Sequence, residues 1–227
     1  MTAESYALIL ANGAYPSKKI LVAFARRAGI IVAADGGADV AFRFRIRPDI
    51  IIGDLDSISS ETLDRFAESG VTVKHLPRQS DTDLEKALLY IKRCGYRKTL
   101  VAGATGGMTD HTFGNLSILL RHAADMRLVC VDPNYRIDLV TGSVELPVVK
   151  GSRVSLVPAG GPCVVSTSGL RYKLKRNRLA FGEKEGTCNT AVSSSLRIAV
   201  HEGWLVLFRE FDLCLFDDFL LQEESLD

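Results

Sequence analysis

Through roughly its first 140 residues the chain alternates short apolar runs with longer segments of helical periodicity, and no other feature limits its fold as tightly. Runs at 7–10, 30–34, 50–52, 71–75, 99–102 and 127–131 have the length and β-branched content of strands. Between them, 18–28, 38–44, 61–69, 84–94 and 115–123 repeat apolar residues at helical spacing. Strand and helix in strict turn predict an α/β domain: a Rossmann-like, mostly parallel sheet with helices on both faces. In such sheets ligands bind beyond the carboxyl ends of the strands. The residues that follow each strand are therefore the ones to read for chemistry.

Past about residue 141 the pattern changes. Segments 144–149, 153–157, 163–167, 170–174, 178–181, 196–200 and 204–208 are short, often β-branched, and set apart by Gly, Pro, Ser or Asn. They predict a small C-terminal antiparallel β-sandwich. The expected division is an α/β domain over 1–141 and a sandwich over 142–227, and 227 residues suffice for both.

A formal net charge of +1 excludes non-specific nucleic-acid binding as the main task, because that needs a basic excess against phosphate. The exposed-looking run Arg171, Lys173, Lys175, Arg176 and Arg178 reads as a solvated strand face and turn. Five cysteines (Cys94, Cys130, Cys163, Cys188 and Cys214) are scattered, with no Cys-x-x-Cys pair, as reduced thiols in a cytoplasm would be. No apolar run approaches the roughly 18 residues that cross a bilayer, and the N-terminus lacks a leader pattern. A cytoplasmic protein without a membrane role is expected.

Every strand end in the first half carries glycine, carboxylate or both. The first runs into Asn12-Gly13, the second into Asp35-Gly36-Gly37, the third into Gly53-Asp54-Leu55-Asp56-Ser57. After the fourth come Gln79-Ser80-Asp81-Thr82-Asp83, and after the fifth a run from Gly103 through Gly106, Gly107 and Met108 to Asp110 and His111. Glycines let backbone approach a ligand closely, and helix N-termini favour phosphate. Carboxylates suit such a place if Mg²⁺ stands between them and the phosphates. Asp54 and Asp56, two apart, would share one side of an extended segment, with Asp83 completing a cluster. Taken singly each feature has a structural reading: an Asp-x-Asp caps a helix or turn, Asp35 is an N-cap, His111 a packed or capping residue. Together they point to a Mg–nucleotide or phosphate site.

At these residues the sequence resembles the thiamine pyrophosphokinase family. The resemblance rests on Asp35-Gly36-Gly37-Ala38, on the Pro-Asp-x-Ile-x-Gly-Asp-Leu-Asp-Ser segment 48–57, on Thr-Asp-x-x-Lys-Ala-Leu at 82–88, and on the glycine-rich Asp-His segment 103–116. In the second half it rests on Val-Ser-Leu-x-Pro at 154–158, Gly-Leu-Arg-Tyr-x-Leu at 169–174, and Cys188-Asn189 in place of a Ser-Asn pair. It implies transfer of pyrophosphate from Mg–ATP to the thiamine hydroxyl, giving thiamine diphosphate and AMP, in a homodimer with thiamine at the subunit interface. It implies metal and catalytic roles for Asp54, Asp56 and Asp83, and ATP contacts at Asn12, Asp35, Gly36, Gly37, Gly106, Gly107, Asp110 and His111. It places Gln79, Cys188 and Asn189 at thiamine. Trp204, in a strand, reads as a core or interface residue rather than a stacking partner for thiamine. The chain departs from the family pattern at Ser80, where many relatives carry Asp, at Met108, where many carry Arg, and at Cys188. Two other functions share much of this pattern: a pyrophosphokinase for another heteroaromatic alcohol such as a hydroxymethylpterin, and a non-catalytic nucleotide or thiamine-phosphate sensor.

Overall fold

The computed structural model describes residues 6–77 and 81–213. The chain divides into two compact units, Met1–Pro133 and Asn134–Asp227. The division falls earlier than the expected join after 141, because the first strand of the second unit already begins at Tyr135.

The first unit is built from strands β1 (Ala7–Leu10), β2 (Ile30–Ala34), β3 (Ile50–Gly53), β4 (Thr72–His75), β5 (Lys98–Ala102) and β6 (Arg127–Val131). Its helices are α1 (Lys18–Ala25), α2 (Gly37–Phe44), α3 (Ser60–Glu68), α4 (Asp83–Arg93) and α5 (Thr109–His122). All strand pairs are parallel, in the order β6-β5-β1-β2-β3-β4. The central strands read as unbroken apolar runs because both faces are covered: Leu8, Ile9, Leu10, Val32, Ile51, Ile52, Leu100 and Val101 have no exposed surface. The order of strands reverses between β1 and β5, which opens a crevice at their carboxyl ends. Right-handed crossovers put α1, α2 and α3 on one face and α4 and α5 on the other. The contacts agree. Asp39 of α2 accepts hydrogen bonds from Ser59, the N-cap of α3, while Glu85 of α4 pairs with Arg121 and His122 of α5.

Five helices and six strands stand where the periodicity places them, with one boundary well off. Helix α5 begins at Thr109, not 115, so Asp110 and His111 lie in its first turn. Gly114 lies inside this helix, which tolerates a glycine at a cost of about 1 kcal/mol against alanine.

Among the described residues the second unit has five strands: β7 (Tyr135–Pro147), β8 (Arg153–Ser168), β9 (Asn177–Leu179), β10 (Gly186–Thr190) and β11 (Ser195–Glu210). All pairings within it are antiparallel, in the order β10-β8-β11-β7, with β9 also on β8. Seven short strands were expected. Four of those segments are halves of two long ones: 153–157 and 163–167 belong to β8, 196–200 and 204–208 to β11. The glycines that seemed to end strands bend them instead. Gly142, Gly160 and Gly203 have φ of 67°, 67° and 78°, and the registers of β11 with both β7 and β8 shift between Val200 and Trp204–Leu205. At Gly203 a Cβ would sit 2.5 Å from the Pro162 carbonyl oxygen, so only glycine passes there. The bends bring both halves of each strand onto one core: Val154 and Leu156 with Cys163 and Val165, Leu196 and Ile198 with Leu205 and Leu207. Segment 170–174 contributes only a bridge from Leu170 to Ala191, and polar β10 had no strand signature in the sequence.

No described helix is long and apolar enough to cross a membrane. Cys94, Cys163 and Cys188 are free thiols; Cys214 lies outside the described residues.

Candidate functional site

The carboxyl ends of β1, β2 and β3 and the starts of α4 and α5 surround a cavity of about 570 Å³. Asn12, Asp35, Asp54, Asp56, Ser57, Asp81, Thr82, Asp83, Asp110, His111, Gly114 and Asn115 line it. Asp35, Asp54 and Asp83 each bring one carboxylate oxygen within 4.8 Å of the others.

Each of the three is placed by the local chain. Asp35 ends β2 with φ 42° and is buried. Its two oxygens accept the backbone N–H groups of Ser57 and Ile58, at 3.0 and 3.3 Å, so it ties down the loop after β3. Asp54 is the first residue of that loop, and its Oδ1 accepts a long bond from the Asp56 N–H. Asp83 opens α4 directly after the Thr82 cap, whose Oγ1 accepts the Glu85 N–H. Gly53 makes the gathering possible: a Cβ there would lie 2.8 Å from Asp35 Cβ and 3.2 Å from Asp83 Oδ1. Lys86, one turn along α4, donates to Asp83 Oδ1 at 2.8 Å with its side chain only 4% exposed.

The electrostatics follow from the crowding. Burial pushes the Asp35 carboxyl above its ordinary range; hydrogen bonds from Ser57 oppose this, and the charges of Asp83 and Asp56 reinforce it. A group of oxygens under mutual repulsion, facing a cavity, suits a hard divalent cation such as Mg²⁺.

The expected metal group was Asp54, Asp56 and Asp83. Asp54 and Asp83 are in the gathered group, but the third member is Asp35, expected only as a nucleotide contact. Leu55 has φ 65°, so residues 54–56 form a turn and the two-residue period of a strand does not apply. Asp56 lines the same cavity, and its Oδ1 accepts the Ser57 hydroxyl. Asn12, Asp110 and His111 also line it. The four glycines expected at ATP do not. A Cβ on Gly36 would meet the Asn12 side chain at 2.5 Å, and one on Gly37 the Leu10 carbonyl oxygen at 2.0 Å, so this pair lets α2 start against β1. Gly106, with φ 73°, packs on Ala14, and Gly107 lies beside Gly13. Gly36 and Gly37 are buried close-packing positions, whereas Gly106 and Gly107 are exposed.

In the second unit, Cys188 is exposed with φ 56° at an irregularity in β10, and its N–H donates to Ser155 Oγ. Asn189 is buried, and its amide is engaged: Oδ1 accepts from the N–H of Tyr172 and of Thr190, and Nδ2 donates to the Tyr172 carbonyl. It clamps the exposed Tyr172. Trp204 is half-buried opposite Ala159. Arg171, Lys173, Lys175, Arg176 and Arg178 are exposed, as a solvated face would be. Gln79, Arg78 and Ser80 lie outside the described residues. The sequence offers Lys86, with Arg78, as a phosphate contact in place of the arginine missing at Met108; its pairing with Asp83 is signalled only by its position three residues along the same helix.

The chain matches two family models, described as thiamin pyrophosphokinase, catalytic domain, over residues 22–130 and thiamin pyrophosphokinase, vitamin B1 binding domain, over residues 141–205. Thiamine pyrophosphokinase 1 of Oryza sativa subsp. japonica is 31% identical over 86% of this chain and 83% of its own length. The chain belongs to the thiamin pyrophosphokinase family. Thiamine pyrophosphokinase 1 of Arabidopsis thaliana is 29% identical, covering 95% of this chain and 91% of the relative. The crystal structure of thiamine pyrophosphokinase from Bacillus subtilis shares the fold with a TM-score of 0.80 at 19% identity, over 91% of this chain and 99% of the other. Within this pyrophosphokinase family member, the first model falls inside the first unit and the second inside the second.

Proposed function

We propose that this family member transfers pyrophosphate from Mg–ATP to the hydroxyl of thiamine, with the nucleotide held in the first unit and thiamine recognised by the second. The observation that carries the reading is the gathering of Asp35, Asp54 and Asp83 at the edge of a parallel sheet, in a chain of this family. The three donors are all carboxylate oxygens, and the missing Cβ at Gly53 leaves them room to converge, so the residues fit Mg²⁺. Bound there, Mg²⁺ would neutralise phosphate charge as it develops.

The chain's own groups do the rest. The thiamine hydroxyl oxygen forms a bond to the β-phosphorus, the bond from that phosphorus to the α–β bridging oxygen breaks, and AMP leaves with that oxygen. The hydroxyl proton passes to a carboxylate lining the cavity. Reactions of this kind depend on positioning and charge stabilisation more than on covalent chemistry. Asp35 holds the 54–58 loop through Ser57 and Ile58 and so fixes Asp54 against Asp83. Helix α5 opens at the cavity with no side-chain cap at Met108, which leaves its first N–H groups for phosphate oxygens. Asp56, Asp110, His111 and Asn12 complete the nucleotide site in this reading. At the thiamine end, Asn189 acts through the Tyr172 it clamps, with Cys188 and Gln79 as direct contacts. A homodimer in the cytoplasm, implied by the resemblance, belongs to the same reading.

The test is AMP release by purified protein with Mg–ATP and thiamine, repeated with a hydroxymethylpterin and across a dilution series followed by sedimentation. AMP with thiamine alone supports the proposal. AMP only with the pterin, or none with either, overturns it, and full activity in a monomer removes the dimer.

Gly53→Ala tests the convergence itself. Its Cβ would press on Asp35 and Asp83, so a loss of about 1–3 kcal/mol of stability is expected, as for other overpacked sites. Mn²⁺ affinity should fall together with turnover. Denaturant melts and Mn²⁺ titration measure both, and unchanged values would show that the carboxylates do not need to meet at this spacing.

A further inference from the structure

We propose that the Lys86 ammonium is a built-in counter-charge for the carboxylate cluster, holding Asp83 until a divalent cation enters and competing with that cation for it. The inference rests on the Mg²⁺ reading above. Lys86 and Asp83 are three residues apart on the first turn of α4, so the helix itself sets their contact. The ammonium is buried, with its side chain 4% exposed, whereas Asp83 keeps 26% of its side-chain surface. A buried lysine is rare unless it is paired, and among the described residues its ionic partner is a member of the cluster. The three gathered carboxylates carry a formal charge of −3, and Lys86 reduces it to −2, the charge that one divalent ion balances. Asp56, Asp81 and Asp110 around the cavity add negative potential, so the pocket favours cations throughout.

Two consequences oppose each other, which makes the idea testable. Without metal, Lys86 relieves the repulsion among Asp35, Asp54 and Asp83 and stabilises the ion-free fold. With metal, its positive charge stands close to the ion and weakens binding. A lysine retained only for packing would do neither.

The experiment measures Mn²⁺ binding to nucleotide-free protein by the EPR signal of free Mn²⁺, together with melting in EDTA and in Mn²⁺. It compares wild type, Lys86→Met, Lys86→Arg and Asp54→Asn. Lys86→Met should bind Mn²⁺ about tenfold or more tightly than wild type. It should melt lower in EDTA, and Mn²⁺ should restore it. Lys86→Arg keeps the charge and should bind Mn²⁺ like wild type. Equal or weaker Mn²⁺ binding by Lys86→Met overturns the proposal. If Lys86→Met does not fold even with Mn²⁺, Lys86→Gln carries the same test, and failure of both to fold makes Lys86 a packing residue and sinks the idea. Wild type binding Mn²⁺ no better than Asp54→Asn would instead overturn the metal site, a separate result.

Discussion

Asp54→Asn is expected to lower kcat by about a hundredfold or more while leaving the fold intact, the scale seen when one charge-stabilising group is removed from an active site. Asparagine keeps the size of the side chain and can still accept the long bond from the Asp56 N–H. What it deletes is one of three charges gathered within 4.8 Å. In EDTA the variant should melt no lower than wild type, because a repulsive member of the cluster is gone. In the assay it should need far more Mg²⁺. The companion change Asp56→Asn separates the arrangement read from spacing from the one observed. Asp56 is outside the gathered group, so its loss should cost much less Mg²⁺ affinity than that of Asp54. Steady-state kinetics over a Mg²⁺ series, with circular-dichroism melts, measure both. Near-normal turnover of Asp54→Asn at moderate Mg²⁺ would remove Asp54 from the metal site. Equal Mg²⁺ dependence of the two variants would restore Asp56 to it.

The contrast between Asp35 and Asp56 shows where sequence reading stops. The first half was legible because its strands are buried on both faces, so each appears as an apolar run with a helix after it. That places the strand ends, and with them every carboxylate of the cavity. It does not say which carboxylates meet. Asp54 and Asp56 would share a face only in extended chain, and Leu55 takes φ 65°. Asp35 looked like an N-cap, but Gly36 occupies that position for α2, which leaves Asp35 to bridge from β2 to the loop after β3. Both facts depend on backbone angles that composition does not encode. The second half was less legible for the opposite reason. Glycine normally punctuates strands, and here Gly142, Gly160 and Gly203 bend neighbouring strands together without ending them. Asn189 shows a further limit: a polar residue in a family motif reads as a ligand contact, and the sequence does not show that both ends of its amide already bond backbone.

The largest effect on stability is expected in the second unit, at Asp138. Strands β7 and β11 place Arg136 and Arg209 directly opposite each other. Like charges in such a pair repel, and here both side chains are nearly inaccessible to water. Asp138 answers both. Its Oδ1 accepts from Arg136 at 2.9 Å and its Oδ2 from Arg209 at 3.0 Å, while Arg209 Nη1 also donates to the Pro147 carbonyl. Burial alone would raise the Asp138 pKa; the two guanidinium groups and their hydrogen bonds outweigh it and bring the value down to about 2. Asp138→Asn keeps the shape and removes the carboxylate charge that the two buried arginines share. A loss of about 3–5 kcal/mol is expected, as when one partner of a buried ion pair is removed. That is a large part of the roughly 5–15 kcal/mol that holds a typical domain together. The same group fixes an acid limit. Because its folded pKa lies below the ordinary 3.8, the unfolded chain takes up the proton first as pH falls. The contribution is therefore complete above about pH 4 and lost progressively toward pH 2, amounting to about 2 kcal/mol. Urea melts of wild type and Asp138→Asn at neutral pH and down to pH 2 test both statements. The gap between the two proteins should be widest at neutral pH and should narrow as acid protonates Asp138. A variant as stable as wild type at pH 7, or a gap that does not change with pH, would mean that the arginines are balanced by something other than this carboxylate.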